Sequence, residues 1–93
     1  MVSQAKHIIV HGRVQGVGFR FFVQRIGSRL GLTGNVCNCE DGTVEIIVEG
    51  NPRRLVEFAH EVRKGPAMAH VDRLDINDIP VEGNYSTFQI EGL

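Results

Sequence analysis

A run of glycines that ends in an arginine, from Gly12 to Arg20, has the residue types that bind anions. The run reads Gly-Arg-Val-Gln-Gly-Val-Gly-Phe-Arg, follows an apolar segment and opens a helical pattern. Backbone N–H groups converge at such a helix start, and the helix dipole and a guanidinium add positive potential. Gly16 and Gly18 let the backbone curl around a ligand without Cβ atoms in the way. The pattern predicts a site for a phosphate or a carboxylate.

The same residue types also have plainer structural explanations. Glycines between a strand and a helix often serve only a tight turn, and an arginine in a first helical turn is often a solvated surface residue. Asn38, close to a predicted hairpin, is by itself typical of a turn. Composition alone favours these structural roles, so the anion site depends on the elements that position its residues.

Apolar periodicity predicts a strand, a helix and a hairpin in the first half of the chain. Residues from about Lys6 to Val14 alternate and indicate a strand. A helix follows and ends near Gly31, with its buried stripe formed by Phe19, Phe22, Val23, Ile26 and Leu30. Leu32 to Cys39 and Thr43 to Glu49 flank a Glu-Asp-Gly turn, which predicts a β-hairpin.

The second half of the chain predicts one more helix and two more strands. Asn51-Pro52 provides an N-cap followed by proline at the first helical position, and Gly65-Pro66 ends the helix. The apolar stripe of this helix is formed by Leu55, Phe58, Ala59 and Val62. Strands around Ala69 to Ile76 and Thr87 to Ile90 follow, with a polar loop between them.

This order of elements is that of the split β-α-β pattern, so we predict a ferredoxin-like α+β fold in which two helices cover one face of an antiparallel sheet. In that pattern the first two strands run parallel with another strand between them, and their carboxyl ends meet at one edge. If Val36 faces the helices, Asn38 points the same way, and Cys37 and Cys39 face away. The glycine loop, Arg20 and Asn38 should therefore converge on one small anion site.

The length and the net charge limit the number of domains and the kinds of partner that this protein can have. The 93 residues suit one domain, residues 1–93, and ten basic against eleven acidic side chains leave a net charge of -1. The net charge therefore gives no general attraction to nucleic acid or to an anionic membrane. The first residues lack the apolar core of a signal peptide, and no apolar stretch approaches the roughly 20 residues of a transmembrane helix. We expect a cytoplasmic monomer that binds neither nucleic acid nor membranes.

The cysteines and histidines do not form a metal-ligand pattern. Cys37 and Cys39 lie one residue apart, where a disulfide would close a strained ring, so we expect free thiols. His7 and His11 lie on the order of 13 Å apart along one strand. The remaining candidate ligands share a helix face typical of an exposed surface, and they are Glu57, His60 and Glu61. We predict no metal site.

Further short motifs accompany the glycine run. They are Gly31-Leu32-Thr33-Gly34, Val36-x-Asn38, Asp41-Gly42-Thr43-Val44-Glu45, Gly50 and Phe88-x-Ile90. Together with the segment from Gly12 to Arg20, they cover nearly the whole chain and resemble the acylphosphatase family. The nine-residue segment is specific, and the complete pattern outweighs the structural explanations of its single residues.

The resemblance implies a ferredoxin-like enzyme that hydrolyses a small-molecule acyl phosphate to a carboxylate and inorganic phosphate, without metal or cofactor. Carried over to matching positions, Arg20 binds the phosphoryl group and Asn38 orients the attacking water. The phosphoryl oxygens would be cradled by the main-chain N–H groups of Gln15, Gly16, Val17, Gly18 and Phe19.

Two positions depart from the family pattern. Asn35 stands where an aromatic residue is common, and Cys37 stands where a basic residue is common. We expect the level of activity and the acyl-group preference to reflect these departures. Val36-Cys37-Asn38 is also similar to the acylphosphatase-like N-terminal domain of the hydrogenase maturation factor that handles carbamoyl phosphate.

Two non-enzymatic functions are alternatives. RNA-binding modules of this fold need aromatic residues on the central strands, whereas Thr43 to Glu49 carries two glutamates and no aromatic residue. A non-catalytic module for phosphate or carbamoyl phosphate would use the same loop and arginine. We expect Arg13 and His11 to be surface and strand-face residues. Core packing rather than base stacking is expected of Phe19, Phe21 and Phe22.

Overall fold

The structure, a computed structural model, describes residues 3–92, so residues 1, 2 and 93 of the predicted domain lie outside it. Its elements are β1 (Gln4–Arg13), α1 (Phe19–Arg29), β2 (Thr33–Asn38), β3 (Val44–Gly50), α2 (Pro52–Lys64), β4 (His70–Ile79) and β5 (Phe88–Glu91). The five strands form one sheet with the order β4-β1-β3-β2-β5. The predicted ferredoxin-like α+β fold is confirmed.

The sheet is antiparallel except at one edge. β1 runs antiparallel to β3 and β4, and β3 runs antiparallel to β2. β5 is parallel to β2, with Gly34 opposite Phe88, so the sheet is mixed rather than wholly antiparallel. The cause lies in the connection 80–87, which joins β4 at one edge of the sheet to β5 at the opposite edge. It crosses the end of the sheet at which β1 and β2 begin. β5 therefore starts beside the start of β2 and runs along it.

One face of the sheet packs against both helices and forms the core. The side chains that are almost completely buried there come from β1, β2, β3 and both helices, and include Ile8, Val10, Val36, Val44, Ile46, Val48, Phe19, Val23, Phe58 and Val62. Removing such a side chain from water contributes roughly 1.5–3 kcal/mol. This core fixes α1 and β2, the two elements that carry the residues of the predicted anion site.

The two helices begin in different ways. Asn51 caps α2, and its Oδ1 accepts a hydrogen bond from the Arg53 N–H at 2.8 Å. α1 follows the N-cap residue Gly18, whose φ is 76°, and has no side-chain cap and no acidic residue in its first turn. The first N–H groups of a helix have no intrahelical acceptor, so those of α1 are open to an external anion. Within residues 3–92, neither helix is long and apolar enough to cross a membrane.

β4 continues three residues beyond the predicted Ile76. The added segment contains Asn77 and Asp78, residue types that are poor in strands. It is extended because β1 pairs with it, with Ala5 opposite Ile79. Tertiary pairing thus overrides the local preference of this segment for a loop.

Candidate active site

The β1–α1 loop and the end of β2 meet around one cavity of about 140 Å³. The residues that line it are Val14, Gly16, Gly18, Phe19, Arg20, Phe21 and Asn38. They come from three separate places: the loop, the first turn of α1 and the last residue of β2. The structure therefore brings the glycine loop, Arg20 and Asn38 together, as strand parity predicts.

The path of the loop depends on two glycines. Gly16 and Gly18 have φ values of 73° and 76°, in the left-handed region where other L residues are strained. A Cβ atom at either position would meet no protein atom within 4 Å, so conformation rather than space requires glycine here. Within residues 3–92, no backbone N–H from Gln15 to Phe19 donates to a backbone acceptor. These donors are available to an anion.

Asn38 presents a buried acceptor at the wall of the cavity. Its side chain points to the helix side of the sheet, as does the fully buried Val36 two residues earlier. The Asn38 Oδ1 atom is buried and has no hydrogen-bond partner among residues 3–92. Leaving a buried acceptor unpaired costs about 1–3 kcal/mol. The cavity that Asn38 lines can supply the missing donor from a water or a ligand.

Arg20 is held from one side by the last strand. Its Nη1 donates to the main-chain carbonyl of Glu91 at 3.3 Å, and the side chain is half-buried. This contact orients the guanidinium and leaves the rest of its N–H donors for a second acceptor. The fork of a guanidinium fits two oxygens of a phosphoryl group, which an ammonium cannot do.

The three phenylalanines near the start of α1 do not share one environment. Phe19 is buried, and its ring centroid lies 5.8 Å from that of Phe22. Phe21 is 70% exposed at the cavity, so the expectation that it packs in the core is wrong. The helical stripe that buries Phe19 and Val23 turns Phe21 outward.

Gln15 and Val17 belong to the loop but not to the lining of the cavity. The Gln15 side chain turns to the β2–β3 hairpin, where its Nε2 donates to the carbonyls of Cys39 and Thr43, both at 2.8 Å. Val17 packs against the core. The contribution of their main-chain N–H groups to anion binding stays a prediction. Nothing in the sequence pattern indicated the contacts of the Gln15 side chain.

Asn35 and Cys37, which depart from the family pattern, lie on the sheet face opposite the helices. Asn35 is only 7% exposed, and its Nδ2 donates to Glu91 Oε1 at 3.2 Å. The Cys37 Sγ lies 3.7 Å from Glu45 Oε1, and Glu45 Oε2 lies 2.8 Å from His7 Nε2. Neither Asn35 nor Cys37 lines the cavity. Any effect of these departures on acyl-group preference is therefore indirect.

Cys37 is expected to be a slow nucleophile. Burial, and then the charge of Glu45, raise the pKa of its thiol from 9.0 to about 11. The thiolate is the reactive form, so at about pH 8 its population falls roughly 100-fold relative to an unshifted thiol. Iodoacetamide should alkylate Cys37 roughly ten- to 100-fold more slowly than N-acetylcysteine, because the higher nucleophilicity of a high-pKa thiolate offsets part of its smaller population. Peptide mass spectrometry measures the two rates. Glu45→Gln should increase the rate, whereas labelling of the wild type as fast as the free thiol would contradict this environment.

The other predicted residues lie away from the cavity. Arg13 is exposed at the end of β1, and His11 Nε2 lies 2.8 Å from Asp75 Oδ2. Cys37 and Cys39 are free cysteines. Within residues 3–92, no three His, Cys, Asp or Glu side chains are grouped to hold a metal ion. Of the predicted site residues, Gly16, Gly18, Phe19, Arg20 and Asn38 are the ones that line the cavity.

Comparison with known sequences decides the family. A sequence model described as Acylphosphatase matches residues 6–90. The chain belongs to the acylphosphatase family. The acylphosphatase of Koribacter versatilis (strain Ellin345) is 41% identical to it over 90 residues, which is 97% of this chain and 82% of that relative. The acylphosphatase of Bacillus velezensis (strain DSM 23117 / BGSC 10A6 / LMG 26770 / FZB42) is 45% identical over 84 residues, 90% of this chain and 93% of the relative. The protein is thus an enzyme that hydrolyses acyl phosphates.

Solved structures agree with the sequence comparison. The crystal structure of acylphosphatase from Bacillus subtilis is similar to this protein with a TM-score of 0.92 and 37% identity, covering 96% of this chain and 99% of the other. Full-length HypF, solved in a phosphate- and nucleotide-bound form, gives a TM-score of 0.87 and 32% identity. That match covers 98% of this chain but 12% of HypF, so a similar unit also occurs within a much longer protein.

Proposed function

We propose that this enzyme hydrolyses acyl phosphates by holding the phosphoryl group with Arg20 and the loop N–H groups while Asn38 orients the attacking water. The observation that supports this assignment most strongly is the buried Asn38 Oδ1, which has no partner in the described part of the chain and lies in the wall of the cavity that Arg20 and the glycine loop also line. An acceptor, a cation and free N–H donors around one small cavity match what a phosphoryl group and a water need.

The phosphoryl group binds where positive potential is concentrated. Arg20 donates two parallel N–H bonds to phosphoryl oxygens and stays charged across the physiological pH range. The main-chain N–H groups of Gln15, Gly16, Val17, Gly18 and Phe19 bind the remaining oxygens at the uncapped start of α1. These donors also stabilise the charge that spreads over the phosphoryl oxygens in the transition state.

Asn38 positions the water in line with the bond that breaks. Its carbonyl oxygen accepts a hydrogen bond from the water, and its N–H can donate one. A bond forms between the water oxygen and phosphorus, while the bond from phosphorus to the carboxyl oxygen breaks. The carboxylate leaves with the electron pair, and the proton of the water passes to a phosphoryl oxygen. Because a carboxylate is a good leaving group, the reaction needs positioning and charge stabilisation but no general acid.

Hydrolysis of benzoyl phosphate by the purified enzyme tests this proposal. We expect turnover that is unchanged when a metal chelator is present throughout, because Arg20 and the loop supply the positive charge. Loss of turnover on chelation, restored by a divalent cation, would contradict the assignment of charge stabilisation to Arg20 and the loop. Phosphate binding without turnover above the uncatalysed rate would instead support a non-catalytic binding module.

We also infer that the enzyme is a single-domain monomer of the cytoplasm that binds neither nucleic acid nor membranes. Among residues 3–92, the exposed large apolar side chains stand on different helices, strands and loops, which favours a monomer; they are Phe21, Val56, Met68, Ile76 and Val81. The free thiols suit a reducing compartment, and the net charge of -1 gives no general attraction to polyanions. Sedimentation analysis under reducing conditions measures the oligomeric state, and a dimer would contradict the inference.

A further inference from the structure

The side chain of Gln15 joins the two halves of the candidate active site. Its amide nitrogen donates to the carbonyls of Cys39 and Thr43, both at 2.8 Å. Gln15 directly precedes Gly16, which lines the cavity from the loop, and Cys39 directly follows Asn38, which lines it from β2. The side-chain amide of Gln15 therefore connects the glycine loop to the end of β2, which carries Asn38.

The two carbonyls do not need Gln15 to be satisfied. The Cys39 carbonyl already accepts from the Gly42 N–H at 3.2 Å, and the Thr43 carbonyl accepts from the Cys39 N–H at 2.9 Å. These bonds close the hairpin by themselves. The effect specific to the Gln15 side chain is to fix the distance between the loop and the hairpin.

We propose that Gln15 is a positioning residue that holds Asn38 at a fixed distance from the glycine loop. The inference rests on the proposed function, because it assigns Gln15 to the geometry between the bound phosphoryl group and the water. A nucleophile and its target must be held within a small fraction of an ångström, and a shift of about 1 Å can cost 10²-fold in rate. Arg20 and the loop donors would still bind phosphate without this contact, so Gln15 should affect kcat and leave phosphate affinity unchanged.

Gln15→Met tests this assignment, because methionine keeps the length of the side chain but cannot donate. We expect kcat for benzoyl phosphate to fall roughly ten- to 100-fold, while the Kd of inorganic phosphate changes by less than about twofold. The matched control is Gln24→Met. The Gln24 Nε2 also donates to a backbone carbonyl, that of Phe88, at 3.1 Å, but Gln24 does not line the cavity. The control should keep kcat within about twofold of the wild type.

A double-mutant cycle with Asn38→Ala identifies the residue through which Gln15 acts. If Gln15 acts by positioning Asn38, then Gln15→Met lowers kcat in the wild type but by less than about twofold in the Asn38→Ala background. Equal losses in both backgrounds would overturn the proposal. A fall in thermal stability with kcat unchanged would overturn it too, since Gln15 would then only stabilise the hairpin.

A spectroscopic measurement does not depend on turnover. The side-chain NH₂ signals of Asn38 in an amide ¹⁵N spectrum should shift or broaden in Gln15→Met and stay in place in Gln24→Met. If the wild type binds phosphate but does not hydrolyse benzoyl phosphate, the proposed function fails, and these signals still report whether Gln15 holds Asn38. Unmoved signals in Gln15→Met would overturn the positioning role.

Discussion

Replacing Arg20 with alanine should lower kcat/KM for benzoyl phosphate by roughly 10³–10⁵-fold, the range of a single transition-state arginine in phosphoryl transfer. Arg20 combines the charge, the planar fork and a fixed orientation, since its Nη1 is held by the Glu91 carbonyl at 3.3 Å. The Kd of inorganic phosphate should rise as well, because Arg20 binds the ground state and the transition state. Steady-state kinetics and titration with phosphate measure the two effects separately.

Two further variants separate the fork of Arg20 from its charge. Arg20→Lys keeps the charge but loses the bidentate geometry, so we expect it to recover only part of the lost rate. Arg13→Ala removes the same charge from an exposed position near the loop that does not line the cavity. Its effect should stay within about threefold, because solvent screens an exposed charge. Equal losses in Arg13→Ala and Arg20→Ala would show that only general positive potential matters.

Much of the site was predictable because strand geometry is regular. Side chains alternate along a strand, so burial of Val36 is sufficient to direct Asn38 towards α1, and the element order brings the ends of β1 and β2 to one edge. The same alternation predicts that Cys37 lies on the opposite face, where it contacts Glu45. These predictions needed only period-two geometry and a fold class.

Other features depend on contacts that a local pattern does not contain. The bonds of Gln15 cross to residues 24 and 28 positions away, and they exist because the loop glycines turn that side chain to the hairpin. β4 extends to Ile79 because β1 pairs with it. The exposure of Phe21 was predictable in principle. The helical stripe through Phe19 and Val23 already excluded Phe21, and only its aromatic character suggested the core.

The Asn38→Ala variant should retain phosphate binding and lose catalysis. We expect kcat for benzoyl phosphate to fall roughly 10²–10³-fold, as when one preorganised polar group of an active site is removed. The Kd of inorganic phosphate should stay within about twofold, because Arg20 and the loop donors are intact. Asn77→Ala, which removes the same amide from an exposed site on β4, is the matched control and should keep wild-type kcat.

Stability distinguishes a functional role of Asn38 from a structural one. Its Oδ1 has no hydrogen-bond partner among residues 3–92 and lines the cavity, so truncation breaks no hydrogen bond of this atom within the described protein. The truncated side chain lines an open cavity, so no closed void is created. We therefore expect the free energy of unfolding of Asn38→Ala to stay within about 1 kcal/mol of the wild-type value while kcat falls. A less stable variant with unchanged kcat would instead assign Asn38 to the fold. Loss of kcat at unchanged stability would mean that the acceptor acts on the substrate or its water, since no described residue uses it.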